Sequence, residues 1–425
     1  MKNNFNWYIV LWLSQSVSQL GSAMTGFALI LWAYSQEGLA STVSLMSFFN
    51  YLPYIFVSLF AGTFVDNHKK KNIMLVSDSF AAVCSIIILG LTISNGLQIW
   101  HIYIVNFVIG FMNAFQSPAL AVVTGIIVPK DKLVQVSGMN SFSSNLIIVL
   151  SPVLASSLFA IGGIKLLLVI DLLSFIIAFL VLLLIIKIPE NKNNKAKQQS
   201  MFAGCAEGFR FLKKNRGIFV IIITMALLNF FSRLTYENIL SPMILSRSGN
   251  DSMVLGIVNA AMGIGGIVGG IIVATWKFKK SSVKMIYVSA MLSFLLGDVM
   301  MGMGRNVIFW SFAAVAASLP IPFINAGQNV ILYQTVPENI QGRIFAVRNA
   351  LQFSTIPLGI LLGGFMADYV FEPFMLSGNN VSMALHSLVG SGAGSGMAVM
   401  FLCTGILGSL FSLLSYNLKD IKSLK

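Results

Sequence analysis

Gly62-Thr-Phe-Val-Asp66-Asn-His-Lys-Lys-Lys71 closes one long apolar run and opens the next. Three lysines in a short turn, flanked by stretches with almost no charge, read as a water-facing connection between two membrane-crossing segments. Outward from this turn the pattern repeats along the whole chain. Twelve apolar runs cover about 7–34, 42–65, 72–94, 99–125, 137–161, 164–187, 217–243, 253–276, 283–303, 306–334, 343–370 and 397–417, and a bilayer crossing needs about 20 residues. The two termini and the even-numbered connections carry 1, 3, 2, 8, 4, 2 and 3 of the 27 Lys and Arg, the last pair being Arg343 and Arg348 at the start of the eleventh run, assigned to the connection before it. The odd-numbered connections hold only Lys165, Arg247 and Arg305, and Arg233 lies inside a run. Such sorting follows the positive-inside rule and predicts that both termini are cytoplasmic. The runs are expected to be helices, because a bilayer tolerates only segments that satisfy their own backbone hydrogen bonds. The strand alternation of a barrel is absent.

Composition points the same way. A chain of 425 residues that is 56% hydrophobic and 10% charged is not an ordinary soluble protein. Its net charge of +13 is spread over the loops expected to face the cytoplasm, where topology and anionic lipid account for it without nucleic acid. Of the three cysteines, Cys84 and Cys403 lie in apolar runs and Cys205 in a polar segment, which gives no disulfide framework and no metal-ligand spacing. Lys2 precedes an apolar run too long for a signal peptide, so that run is expected to be retained as helix 1. His68, His101 and His386 lie in or near loops, and no Walker A sequence is present, so neither a catalytic metal nor ATP is expected.

The chain reads as two halves. Residues 188–216 form its only long polar stretch: a linker from Pro189, then Phe202, Cys205, Phe209 and Leu212 at helical spacing beside Arg210, Lys213, Lys214 and Arg216, as in an amphipathic helix on a membrane surface. The expected division is therefore a six-helix bundle over 1–187, the linker over 188–216 and a second six-helix bundle over 217–425. The bundles match at one constant offset. Gly62 and Gly270, Phe115 and Phe323, Pro129 and Pro337, and Lys69 and Lys277 are each 208 apart. Duplicated six-helix units are a transporter architecture, with substrate bound near the midplane between the repeats.

The opening stretch, Gly, three residues, Asp66 and a basic turn, resembles the signature of the major facilitator superfamily. Asn67 stands where that signature usually has Arg, and the second copy, Gly270-Ile-Ile-Val-Ala274, lacks the Asp. Further stretches resemble the macrolide-efflux-like drug exporters: Asp78, Phe115-Gln-Ser-Pro-Ala119, Val128-Pro129, Asp171-Leu-Leu-Ser-Phe175, Gly208-Phe-Arg-Phe-Leu-Lys-Lys-Asn-Arg216, Val336-Pro337-Glu-Asn-Ile-Gln-Gly342-Arg343, Asp368-Tyr-Val-Phe-Glu-Pro-Phe374 and the Gly390–Gly396 run. The resemblance implies a twelve-helix fold, alternating access and a gate at Gly62, Asp66, Lys70, Lys71, Gly342 and Arg343. The Gly390–Gly396 run is expected to be a flexible hinge. Pro152 keeps the proline of a helix-5 antiporter motif whose glycines are replaced, so antiport does not follow from that motif.

Charge inside a membrane is costly and marks functional candidates. Arg233 and Glu237 are four apart in helix 7 and share a face; the pair suits either proton coupling or a static brace. Asp171 in helix 6 is a second candidate for proton coupling, or for packing. Asp78, Asp298 and Asp368 suit structural roles better. Polar stripes mark a candidate substrate path: Gln15, Ser18 and Ser22 in helix 1, Asn106 and Asn113 in helix 4, Asn229 and Tyr236 in helix 7, Asn325, Gln328 and Asn329 in helix 10. Such stripes are also interhelical glue. The expected function is export of an amphipathic small molecule, macrolide-like or similar, by proton antiport across a bacterial plasma membrane. Export of an endogenous metabolite, peptide antibiotic or siderophore is the second reading, and a transport-inactive receptor or scaffold the third. The expected partners are the substrate, protons and membrane lipid, with no nucleic acid, cofactor or metal, and the chain is expected to be a monomer that is not an enzyme.

Overall fold

The computed structural model describes residues 5–129, 132–186, 188, 209–275, 282–336 and 341–422. All regular structure among the described residues is helical. Helices α1 (Phe5–Glu37), α2 (Ala40–Asn67), α3 (Lys70–Ile93) and α4 (Ile99–Ile127) occupy the first four apolar runs. Helix α5 (Leu133–Leu180) is broken at Gly163, with φ 59 and ψ −162, and ends in a π turn over Val181–Ile185. Only glycine adopts such a conformation readily. Gly163 falls between the runs expected at 137–161 and 164–187. Eleven described segments are long and apolar enough to cross a bilayer, and the one that contains this break, Phe142–Ile185, has 44 residues. That is about twice a crossing, and its break falls between the runs expected at 137–161 and 164–187.

The second half begins with α6 (Arg216–Arg233) and the short α7 (Leu240–Ser248). Helix α8 (Ser252–Thr275) follows, then α9 (Ser282–Leu292), which continues through a π turn at Ser293–Asp298 to Met303. Next come α10 (Val307–Ser318), α11 (Ile321–Thr335), α12 (Gln341–Phe353) and α13 (Ile356–Met366), the last continued by a π turn to Phe371. Helices α14 (Glu372–Leu376), α15 (Asn380–Val389) and α16 (Ser395–Tyr416) lead to a final turn at Lys419–Lys422. Arg348, which the sequence places with the connection before the eleventh run, lies within α12, about two turns past its start.

The chain divides into two compact units. The first holds residues 1–36 and 46–198, and the second 199–425 together with Glu37–Leu45, which runs from the end of α1 into the first turns of α2. The core of the first joins Tyr8, Leu11, Val65, Met74, Val123 and Leu182; that of the second joins Leu212, Ile222, Tyr287, Phe294, Leu332 and Ile344. Leu212 is the one residue of the expected amphipathic stripe seen buried, and Phe209 is exposed; Phe202 and Cys205 lie outside the described residues. The outward faces are apolar, with Phe312, Leu358 and Leu414 each about two-thirds exposed, a surface that calls for lipid as its solvent.

The internal repeat recurs in local geometry. Helix α4 ends at Val128 (φ −83, ψ 131) and α11 at Val336 (φ −94, ψ 123). Each precedes a proline of the 208-residue offset, and proline drives the residue before it into extended backbone, which ends the helix. The glycines diverge. Gly270 faces open space, whereas Gly265 and Gly269 press against the backbones of Val315 and Leu319 in α10. This is a small-xxx-small contact of α8 with α10. A Cβ at Gly269 would stand 2.2 Å from the Leu319 carbonyl oxygen. Gly269→Leu is therefore expected to reduce folded protein severely, whereas Gly270→Leu leaves it near wild type; fluorescence-detected size exclusion of tagged protein checks the contrast.

Candidate functional site

In the first unit two buried carboxylates each bind three helices. Asp171 in α5 is 4% exposed and accepts from Ser22 of α1 at 2.9 Å and Ser85 of α3 at 2.8 Å. The helices meet at Gly21, where a Cβ would come within 2.5 Å of the Ser174 hydroxyl. Asp78 in α3 accepts from Gln15 of α1 at 3.4 Å and Gln116 of α4 at 2.5 Å. Two residues of the expected path, Gln15 and Ser22, thus face acids and tie α1 to its neighbours. Asn106 is half-buried and donates to Ile102 of its own helix. Ser18 is half-buried, and Asn113 is exposed.

The second unit interrupts its first span. Helix α6 stops at Arg233 and α7 starts at Leu240, with turns between. The break carries three side chains in different directions. Glu237 pairs with Arg233, and both are about one-third to one-quarter exposed. Tyr236 stands edge-on to Phe401 at 5.2 Å with its hydroxyl beside Asp298. Asp298, 1% exposed in the π turn of α9, accepts from Thr404 of α16 at 2.8 Å. Asn238, fully buried, donates to the Ile360 carbonyl at 2.7 Å and to Ser44 at 2.8 Å. Irregular backbone inside a membrane belongs where it lines a cavity or is buried in protein, and Thr235, Asn238 and Ile239 of this break are fully buried.

A second polar cluster in this unit surrounds Arg348. Its guanidinium donates to Asn329 at 3.0 Å and to Asn349 at 2.9 and 3.1 Å. With Gln328 it lines a small cleft walled by Ile218, Ile221 and Ile331. Asn229 donates to the Gln352 carbonyl, and Asn325 is exposed. Assigned to the connection before it, Arg348 does not read as intramembrane charge in the sequence. Its position after Arg343 in the run 343–370 was the available signal.

Of the expected gate, Lys71 donates to the carbonyls of Leu183 and Ile186, each at 2.9 Å, a cation at a helix C-terminus. Lys70 is half-buried. The side chains of Gly62, Asp66, Gly342 and Arg343 lie outside the described residues. A different carboxylate caps α2 at its other end. Asp368 accepts from the backbone N–H of Ala40 at 3.0 Å and of Ser41 at 2.7 Å. Beside it, Gly364 leaves no room for a Cβ, which would stand 2.2 Å from the Ser44 hydroxyl.

The glycine run before α16 is a seat more than a hinge. Gly390, Gly392 and Gly394 have φ of 89, 94 and 82, and Glu372 accepts from the N–H groups of Gly394, Gly396 and Met397. Positive-φ glycines turn successive N–H groups toward one anion. Arg247 lies close by, and burial, then the charge of Arg305, lowers its guanidinium from the ordinary value while Glu372 opposes them.

The sequence profile of transmembrane secretion effectors matches residues 4–393. The chain belongs to that family, within the major facilitator superfamily. It is 25% identical over 389 residues to macrolide efflux protein A of Streptococcus pyogenes, covering 89% of this chain and 95% of that one. It is 23% identical to the multidrug efflux pump Tap of Mycolicibacterium fortuitum, over 82% of this chain and 86% of the pump. Its fold is similar to the crystal structure of a bacterial homologue of the human lysosomal transporter Spinster, with a TM-score of 0.69 at 11% identity over 100% of this chain and 99% of the other. The chain is a multi-pass transporter of the bacterial cell membrane and not an enzyme.

Proposed function

We propose that this transporter exports an amphipathic small molecule by proton antiport through alternating access. It does so with twelve spans in two bundles over 1–187 and 217–425, joined by the linker 188–216, and with both termini in the cytoplasm. The observation that carries the reading is the interrupted first span of the second unit, which presents a mostly buried Arg233–Glu237 pair. An acid paired with a cation stays ionised, and one left alone in apolar surroundings takes up a proton. A conformational change that opens the pair would therefore link protonation to access. The efflux relatives support the outward direction and an apolar substrate.

Purified protein in liposomes with an imposed pH gradient tests the reading: substrate accumulation that collapses with the gradient supports it, and none across a panel of macrolides and lipophilic cations opposes it. Topology has its own test. In a background freed of Cys84, Cys205 and Cys403, a membrane-impermeant thiol reagent applied to intact cells is expected to label a cysteine at position 380 and to spare those at 195 and 425. The reverse pattern would overturn the orientation.

A further inference from the structure

Helix α15 joins two membrane spans on the side opposite the expected cytoplasmic face, and its side chains are sorted in an unusual way. Its ends are fixed. Asn379 caps the start by accepting from the Ser382 N–H at 2.7 Å. Two arginines close the other end: Arg247 donates to the Val389 carbonyl and Arg305 to the Ser387 carbonyl, the arrangement that a helix C-terminus favours. The helix rests on α14, α16 and the last turn of the α9 span.

On the side toward the protein it buries only Ser382 and Val389. At about 3.6 residues per turn, Val381, Leu385 and Leu388 fall on one flank, and Asn380 and Ser387 on the side facing away from the protein. Val381 is 60% exposed and Leu388 48%, so the apolar flank is turned outward while a serine is turned in. Met383, on the other flank, is 54% exposed, so exposed apolar side chains stand on both sides of the outward Asn380 and Ser387. The apolar flank also continues an existing surface. Leu358, Phe365, Tyr369 and Leu376 form an exposed stripe along the preceding span, from 55% to 72% exposed, and Leu376 is the last residue of α14, directly before the turn into α15.

We infer that α15 is an interfacial anchor. Its Val381–Leu385–Leu388 flank inserts among the lipids of the outer leaflet at the boundary between headgroups and acyl chains, with Asn380 and Ser387 in water. Helices with one apolar and one polar flank take this position in the interface. The anchor fixes the outer ends of the last two spans to the membrane plane.

The test uses the full-length protein in liposomes of phosphatidylethanolamine and phosphatidylglycerol. Single cysteines at Val381, Leu388, Asn380 and Ser387, in a background with the native cysteines replaced, carry a small fluorophore. Lipids with a nitroxide near the headgroup are expected to quench the labels at 381 and 388 severalfold more than those at 380 and 387. Iodide, present on both sides, is expected to show the reverse order. All four positions are exposed, so each variant is expected to elute as the wild type does. If one does not, its neighbour on the same flank supplies the comparison. Equal quenching of all four by iodide would make α15 a solvated connection and overturn the inference. Protection of 381 and 388 from both quenchers would assign the flank to a second copy of the chain and overturn it equally.

Discussion

Glu237→Gln is expected to abolish proton-driven net efflux while substrate still binds and exchanges. The geometry behind this result is the turn between α6 and α7, which places Glu237 against Arg233 in a largely apolar span. Both side chains keep contact with solvent, so the pair contributes about 0–1 kcal/mol to stability, too little for its loss to unfold the protein. The amide cannot cycle between charged and neutral forms, and coupling would end without loss of the fold. Arg233→Ala is expected to leave the acid without its cation and to weaken the dependence of transport on the gradient. A static brace predicts otherwise: both single variants would fail together in expression, and Arg233→Leu/Glu237→Leu would restore it. Proton-coupled transport in that double variant would rule out Glu237 as the carrier and move the role to Asp171. Uptake of labelled substrate and pH-dye fluorescence in the same liposomes measure both halves of the result.

The fold was legible in the sequence because bilayer solvation leaves one-dimensional marks: apolar runs of fixed length and charges sorted by side. Even the place where the chain turns inside α5 coincides with a glycine between two expected runs. The boundary between the units was less legible. Glu37–Leu45 groups with the second unit through contacts more than three hundred residues away in sequence, and no local pattern reports such a contact. The same holds for the site. That Arg233 and Glu237 pair follows from a four-residue spacing. That Ser22 serves Asp171, or Gln15 serves Asp78, depends on how α1 is rotated against α3, α4 and α5. A polar stripe of a single helix does not distinguish a cavity wall from a bond to a neighbouring acid. Arg348 shows a different limit. Assigning charges to connections absorbs a residue that lies two turns inside a helix.

The carboxylate of Asp368 is expected to hold the first turn of α2 closed, and Asp368→Ala to release it. It accepts from two successive backbone N–H groups, those of Ala40 and Ser41, which no carbonyl of the helix can reach. Removing such a cap costs about 0.5–2 kcal/mol, with the charge at the positive helix end responsible for about 0.3–1 kcal/mol of comparable effects. A loss of about 1–2 kcal/mol raises the population of an opened contact by roughly 5–30-fold. Val43 is fully buried in this contact, so a cysteine there reports opening through its reaction rate with a small impermeant thiol reagent. That rate is expected to rise by roughly 5–30-fold in Asp368→Ala and by less in Asp368→Asn, which keeps one acceptor oxygen. Gly364→Ala reaches the same contact from the other side, because its Cβ would meet Ser44, and should raise the rate even with Asp368 intact. An unchanged rate in Asp368→Ala, alongside a raised one in Gly364→Ala, would show that close packing and the bond from Asn238 to Ser44 hold the contact and that the carboxylate does not.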